Sequence, residues 1–329
     1  MTAGSTLPQA AQADAEFQAL VRKTYAGNPR ALTALGLRLL AGRDSPHSPV
    51  DGEALIAEAA RQGEAAAWVH LGALAASGVV RAQCWQSAWD AIRRGGDSGH
   101  AGALRQFELL ALARIHSAAD IAAWLASPRF RNIHDQPRIA ACADFIEPEW
   151  CLHLRTLAQP LLEPAKVYDF RARQLRLDPM RNNRNAALSI IDTDLVVQLI
   201  RARAAQAAGV PQDHLEPSEV LNYSQGEQYR LHVDFFHPSV PHFAKIIREC
   251  GQRTRTLLIY LNEDYIGGET EFPKLGIKFR GRRGEALLFE NVNAAGDGDM
   301  LTAHAGTPVT AGHKWLFSQW MRNQPQPVA

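Results

Sequence analysis

Two periodicities divide the chain. From residue 15 to about residue 125, a stretch rich in Ala, Leu, Arg and Gln, apolar positions recur at helical spacing. This stretch also repeats. Leu35-Gly36 returns as Leu71-Gly72, Gly42 as Gly78, Gly63 as Gly99 and Ala65 as Ala101, each at an offset of 36 residues. A period of this size, with small residues where helices would cross and Gly where they would end, predicts stacked helix-turn-helix units. About two units are visible, and the second degenerates after Gly78. The same residues also fit an Ala-rich helical cap with a purely structural role.

From about residue 140 the pattern changes. Glu147-Pro148 opens a helix with its apolar stripe on Cys151, Leu154, Leu157 and Leu161, and a second helix is predicted from Thr193 to Ala208, ending at Gly209. Short β-type runs follow at Val220–Tyr223, Tyr229–Phe235, Thr254–Asn262, Gly276–Phe279, Ala286–Phe289, Leu301–Ala305 and Lys314–Met321, separated by Gly, Pro and Asn. Short strands without alternating helices predict a sandwich or jelly roll. The expected architecture is α+β, with an all-α repeat domain over 1–137 and a β domain over 138–329.

Composition narrows the function classes. Of 329 residues, 46% are apolar and 21% charged, as in soluble globular proteins. A net charge of +1 gives no electrostatic case for nucleic acid or an anionic membrane as partner. The N-terminus lacks the basic start and apolar core of a secretory signal, and no window is long and apolar enough to span a bilayer. Cys84, Cys142, Cys151 and Cys250 form no CxxC pair, so free thiols in a reducing cytoplasm are expected.

The chemistry concentrates in two segments. In a strand, residues i and i+2 project from one face, so His232 and Asp234 offer an imidazole and a carboxylate to one point. Two His and one carboxylate on one face of a metal is the non-haem Fe²⁺ arrangement, which leaves three positions open. The third ligand is expected from the segment His304 to Trp320. His313 and Lys314 are strand neighbours and face opposite sides, so an inward Lys314 turns His313 outward. His304, before the Pro308 turn, can face His232. His237 and His242, just past the HxD pair, are expected to be solvated loop residues. An ammonium buried in an apolar barrel needs a partner, and the distal carboxylate of 2-oxoglutarate would supply one to Lys314.

These residues fall in five ordered blocks: YxxGxxYxxHxD (Tyr223 to Asp234), QRxxTLLIYLN (Gln252 to Asn262), GGETEFP (Gly267 to Pro273), ALLFEN (Ala286 to Asn291) and HAGxPVxxGxKWxxxxW (His304 to Trp320). Together they resemble the prolyl 4-hydroxylase family of Fe²⁺- and 2-oxoglutarate-dependent dioxygenases, over about residues 140 to 323. The resemblance implies a double-stranded β-helix backed by helices, with Fe²⁺, 2-oxoglutarate and L-ascorbate as cofactors. It also implies that Tyr223, Thr270 and Trp320 line the 2-oxoglutarate pocket with Lys314, and that Tyr229 and Arg253 face the substrate. The family often carries a His two residues after the last Trp, where this chain has Arg322. The N-terminal pattern ALxxLGxxxxxG followed by EAAxxGxxxA resembles Sel-type, tetratricopeptide-like repeats.

The implied reaction couples decarboxylation of 2-oxoglutarate to succinate and CO₂ with hydroxylation of a C–H bond. Proline in a peptide or protein is the leading substrate, with the repeats holding a protein partner. The alternatives are a hydroxylase of a free amino acid or small metabolite, and a repeat-based interaction protein with a sensor oxygenase domain.

Overall fold

The computed structural model describes residues 9–126, 128–169 and 174–327, so the first residues of the stretch read for a secretory signal lie outside the described part. The chain forms two compact units. One runs to Ile121 and takes in Ser189–Gln198; the other comprises Ala122–Leu188 and Leu199–Pro327.

The first unit is helical: α1 (Gln9–Tyr25), α2 (Pro29–Ala41), α3 (Pro49–Arg61), α4 (Ala65–Ser77), α5 (Trp85–Asp97), α6 (Ala101–Leu112) and α7 (Ala118–Ala126), the last crossing into the second unit. The 36-residue period is physical, because α4 starts 36 residues after α2, α6 starts 36 after α4, and α5 starts 36 after α3. The repeated Leu-Gly pairs mark the helix crossings. A Cβ on Gly36 would sit 2.6 Å from the Gly52 carbonyl oxygen, and one on Gly72 would sit 2.8 Å from Ile92. Asn28 caps α2 by accepting from the Ala31 N–H at 3.1 Å, with Pro29 opening the helix. Leu32, Leu40, Ile56, Ala59, Ala60, Ala67 and Leu74 form the core, which Ile190 completes.

The second unit contains β1 (Arg131–Asp135), β2 (Arg138–Cys142), β3 (Glu163–Pro164), β4 (Val167–Asp169), β5 (Gln174–Arg176), β6 (Arg184–Leu188), β7 (Ser218–Tyr223) and β8 (Tyr229–His232). After these come β9 (Arg253–Tyr260), β10 (Tyr265–Gly267), β11 (Thr270–Phe272), β12 (Ile277–Phe279), β13 (Ala286–Glu290), β14 (His304–Gly306), β15 (Val309–Gly312) and β16 (Lys314–Arg322). An eight-stranded sheet runs β1-β2-β13-β9-β16-β7-β6-β3, a four-stranded sheet runs β12-β11-β14-β8, and β10-β15 and β4-β5 form pairs. This is the jelly roll. Its core draws Leu221, Leu258, Tyr260, Leu287, Phe289 and Leu316 from the large sheet, and Phe272, Tyr265 and Val309 from the smaller ones.

β16 is buried at all nine positions because its two faces meet different layers. Trp315 and Gln319 meet side chains of α8 (Pro148–Ala158) and α9 (Leu195–Ala208): Arg155 lies over Trp315, and Arg201 donates to Gln319 at 3.0 Å. Lys314, Leu316, Ser318 and Trp320 face the other way, into a cavity.

Some boundaries differ from those read in the sequence. The division was expected at 137/138, but β1 pairs with β2 and β2 with β13, so the large sheet takes in residues from 131 onward. The run expected as a strand from Tyr229 to Phe235 stops at His232, and a 3₁₀ turn (Met300–Thr302) precedes β14. The helix α10 (Pro241–Cys250) and the strand β15 were not among the elements read from the sequence, although Phe243, Ile246, Ile247 and Cys250 recur at helical spacing. No helix of the described residues is long and apolar enough to cross a membrane.

Candidate metal centre and cosubstrate cavity

β8 and β14 are antiparallel neighbours with His232 directly opposite His304, so the two imidazoles leave the sheet on one face, their centroids 4.3 Å apart. The chain bends after His232 and returns Asp234 to the same point. Its Oδ1 lies 3.8 Å from His232 Nε2, and its Oδ2 lies 3.8 Å from His304 Nε2. The three donor atoms fall within 4.8 Å of one another.

Backbone contacts fix the tautomers. His232 Nδ1 donates to the Arg230 carbonyl at 2.8 Å, and His304 Nδ1 donates to the Thr302 carbonyl at 3.0 Å. A carbonyl only accepts, so Nδ1 carries the proton and each Nε2 turns its lone pair to the shared point. Burial holds the His232 pKa down at about 3, helped by His304 and opposed by Asp234. Burial pushes the Asp234 carboxyl up, but His304, His232 and Arg253 outweigh it and keep the group ionised. Asp234 Oδ2 accepts from the Thr256 hydroxyl at 2.7 Å, and Asn291 Nδ2 donates to that hydroxyl at 2.9 Å. Two imidazoles with Nε2 turned inward and one oriented carboxylate make a fitting donor set for Fe²⁺.

The cavity holds about 430 Å³ of atom-free space, part of it open to solvent. Tyr223, Thr270, Lys314, Trp320 and Tyr229 all line it. Lys314 Nζ donates to the Gly268 carbonyl at 2.6 Å, and no described carboxylate lies within ion-pair reach. Burial lowers its pKa to about 7, against a partial pull upward from Glu269. Thr270 Oγ1 is 2.7 Å from the Tyr260 hydroxyl. Tyr229 stacks on His232, with centroids 3.5 Å apart.

Residues 218–322 match the profile of the 2OG-Fe(II) oxygenase superfamily. Prolyl 4-hydroxylase 1 of Arabidopsis thaliana is 30% identical over 202 residues, which is 57% of this chain and 70% of that protein. The chain belongs to the prolyl 4-hydroxylase family. The α-1 subunit of the Gallus gallus prolyl 4-hydroxylase is 33% identical over 58% of this chain, but this chain spans only 37% of that subunit. Among solved structures, the collagen prolyl hydroxylase of Paramecium Bursaria Chlorella virus-1 has a TM-score of 0.45 and 23% identity, covering 58% of this chain and 98% of that one. A Sel1 repeat protein of Oxalobacter formigenes has a TM-score of 0.30 and 21% identity, covering 34% of this chain and 46% of that one.

In this prolyl 4-hydroxylase relative two expected positions shift. Arg253 does not line the cavity, because its guanidinium is taken by Glu216 at 2.6 and 2.7 Å. Trp320 does line it, but six residues along β16 from Lys314, a span of roughly 20 Å at about 3.3 Å per residue. Trp320 instead pairs across the sheet with Thr256, the residue that holds Asp234. It therefore walls the metal end of the cavity and not the lysine end. Arg322 is likewise engaged, with Glu216 at 2.6 Å and the Gly251 carbonyl at 3.0 Å. His313, His237 and His242 are exposed.

The sequence reading missed Arg181, Leu316 and Ser318. The last two were accessible by strand parity from Lys314. Arg181 was not, since it sits in an irregular segment and is defined by its partners: Glu219 at 2.9 Å, and the face of Tyr229 at 5.1 Å.

Proposed function

We propose that this chain hydroxylates prolyl residues within a peptide or protein, with His232, Asp234 and His304 holding Fe²⁺ and Lys314 holding the distal carboxylate of 2-oxoglutarate. When bound, iron would let dioxygen act as the oxidant and 2-oxoglutarate as the co-reductant, one oxygen atom entering the prolyl C–H bond and the other entering succinate as CO₂ is lost. The protein's part is placement and exclusion of water. The jelly roll buries Asp234 and His304 and leaves the cavity mouth as the route to the metal point. Tyr229, flat against His232, restrains that ring, and Thr256 restrains the carboxylate.

The charge pattern of the cavity carries the choice of substrate class. Apart from the histidines, its described cations are Arg181 and Lys314. Arg181 is neutralised by Glu219, and Lys314 is the group left for 2-oxoglutarate. A free amino acid brings a carboxylate that would then lack a cation, at the cost of burying an unpaired charge. An internal proline brings only neutral amides. We further propose that the helical unit holds a protein partner.

The test is incubation of the Fe²⁺-loaded chain with 2-oxoglutarate and ascorbate, first with proline-containing peptides and then with host lysate, followed by mass spectrometry. Gain of one oxygen on internal proline is the expected result. Oxygen found only on free amino acids or small metabolites would overturn the reading.

A further inference from the structure

We propose that Glu216 is a positioning residue for this reaction: one carboxylate holds both Arg253 and Arg322, and through Arg253 it fixes the Trp320 indole in the cavity wall. The inference rests on the substrate reading above only in its kinetic arm.

Glu216 Oε1 accepts from Arg253 Nε and Arg322 Nε, both at 2.6 Å, and Oε2 accepts from Arg253 Nη2 at 2.7 Å. The backbone of Glu216 is fixed as well. Its N–H donates to the Trp320 carbonyl at 3.1 Å, and its carbonyl accepts from Arg201 at 2.9 Å and from Gln319 at 2.7 Å. The clamp is thus anchored to the strand that carries Trp320. The bidentate pair sets the plane of the Arg253 guanidinium. That plane lies 4.1 Å from the Trp320 ring centroid and 4.7 Å from that of Phe236, while Arg322 lies 4.8 Å from Phe236. Phe236 follows Asp234 by two residues, and Gln252 grips its backbone at 2.8 and 2.7 Å. One carboxylate therefore ties the indole that walls the metal end of the cavity to the segment just after the metal-binding carboxylate.

Three buried charges are a poor route to stability, since desolvation offsets most of their attraction. They are well suited to holding a flat ring in one place. The indole N–H of Trp320 is buried without a partner among the described residues, so the position of this ring also sets where the cavity offers a free donor.

The experiment uses the full chain and two readouts. In the metal-free protein with ¹⁵N-labelled indoles, the Trp320 resonance is identified by its loss in Trp320→Phe. Glu216→Gln is expected to broaden or split this resonance and leave those of Trp68, Trp85 and Trp89 unchanged. In the Fe²⁺-loaded protein, Glu216→Gln should raise KM for a proline peptide about tenfold or more and leave 2-oxoglutarate affinity within about twofold. Arg253→Lys keeps the charge and loses the planar stack, so it should reproduce the Trp320 change. A folded Glu216→Gln with the Trp320 resonance and peptide KM both unchanged overturns the proposal, as does an Arg253→Lys that leaves the resonance unmoved. If Glu216→Gln does not fold, Arg322→Gln should show the same resonance change in weaker form, and an unmoved resonance there overturns it equally. Should the native chain turn over no proline peptide, the substrate reading fails and the resonance still decides the clamp.

Discussion

Lys314 makes 2-oxoglutarate binding depend on pH in a way that can be worked from the structure. Burial lowers the lysine to about pKa 7, from an ordinary value of 10.5. The bound dicarboxylate favours the ammonium, so above pH 7 binding must take up a proton. The dissociation constant should therefore be flat just below pH 7 and then rise about tenfold per pH unit, or roughly 100-fold by pH 9. The stability of the ligand-free protein should slope the other way. Between pH 7 and 10.5 the unfolded chain binds more protons at this lysine than the folded chain does, so stability contributed here rises with pH across that window. Lys314→Arg keeps its charge at every pH, so it should bind more weakly near neutrality yet lose the alkaline slope. Lys314→Ala should lose on the order of 2–5 kcal/mol, roughly 30- to several-thousand-fold in affinity. The assay is anaerobic titration of the Fe²⁺ protein through the metal-to-ligand charge-transfer band, between pH 6.5 and 9. A flat wild-type profile, or an equal slope in Lys314→Arg, would refute the argument.

Other outcomes are equally definite. His232→Ala, Asp234→Ala and His304→Ala should each abolish iron binding and 2-oxoglutarate turnover, while His313→Ala, an exposed residue, should leave both intact by iron titration and succinate assay. Thr256→Val removes the hydroxyl that donates to Asp234 and should weaken iron binding about 10- to 100-fold, read by competition with a chelator. Gly36→Ala places a methyl 2.6 Å from the Gly52 carbonyl oxygen and should destabilise the helical unit by about 1–3 kcal/mol in thermal melts. A melt unchanged by that substitution would show that the crossing of α2 and α3 is loose.

The legible features share one physical property: their constraint lies within a few residues of sequence. The HxD pair was readable because strand parity alone puts two side chains on one face, and His304 was separable from His313 because Lys314 fixed the parity of the next strand. The 36-residue period was readable because the crossings of α2 with α3 and of α4 with α5 both demand a residue without a side chain, Gly36 and Gly72, at the same place in the repeat. Arg253 was misplaced for the opposite reason. A guanidinium near a site reads as a ligand group unless its counter-ion is known, and that counter-ion, Glu216, stands 37 residues earlier in the chain. Arg181 and Asn291 are similar, since their partners Glu219 and Thr256 lie on other strands.

The boundary near residue 137 was hard to place for a further reason. The helical unit does not end where the helices of the N-terminal stretch end. Ser189–Gln198 belongs to it: Ile190 packs in the core with Leu32 and Ile56, the Leu195 N–H donates to Gln106 at 3.0 Å, and Arg43 reaches Asp192 at 3.3 Å. In sequence this segment is an ordinary helix start, with Ser189 and Asp192 forming a capping box. Its buried partners lie more than eighty residues away, beyond the reach of any local pattern. Removing the repeats would leave Ile190 and Leu195 without their partners. The segment Ser189–Gln198 therefore depends on the repeats for its own packing.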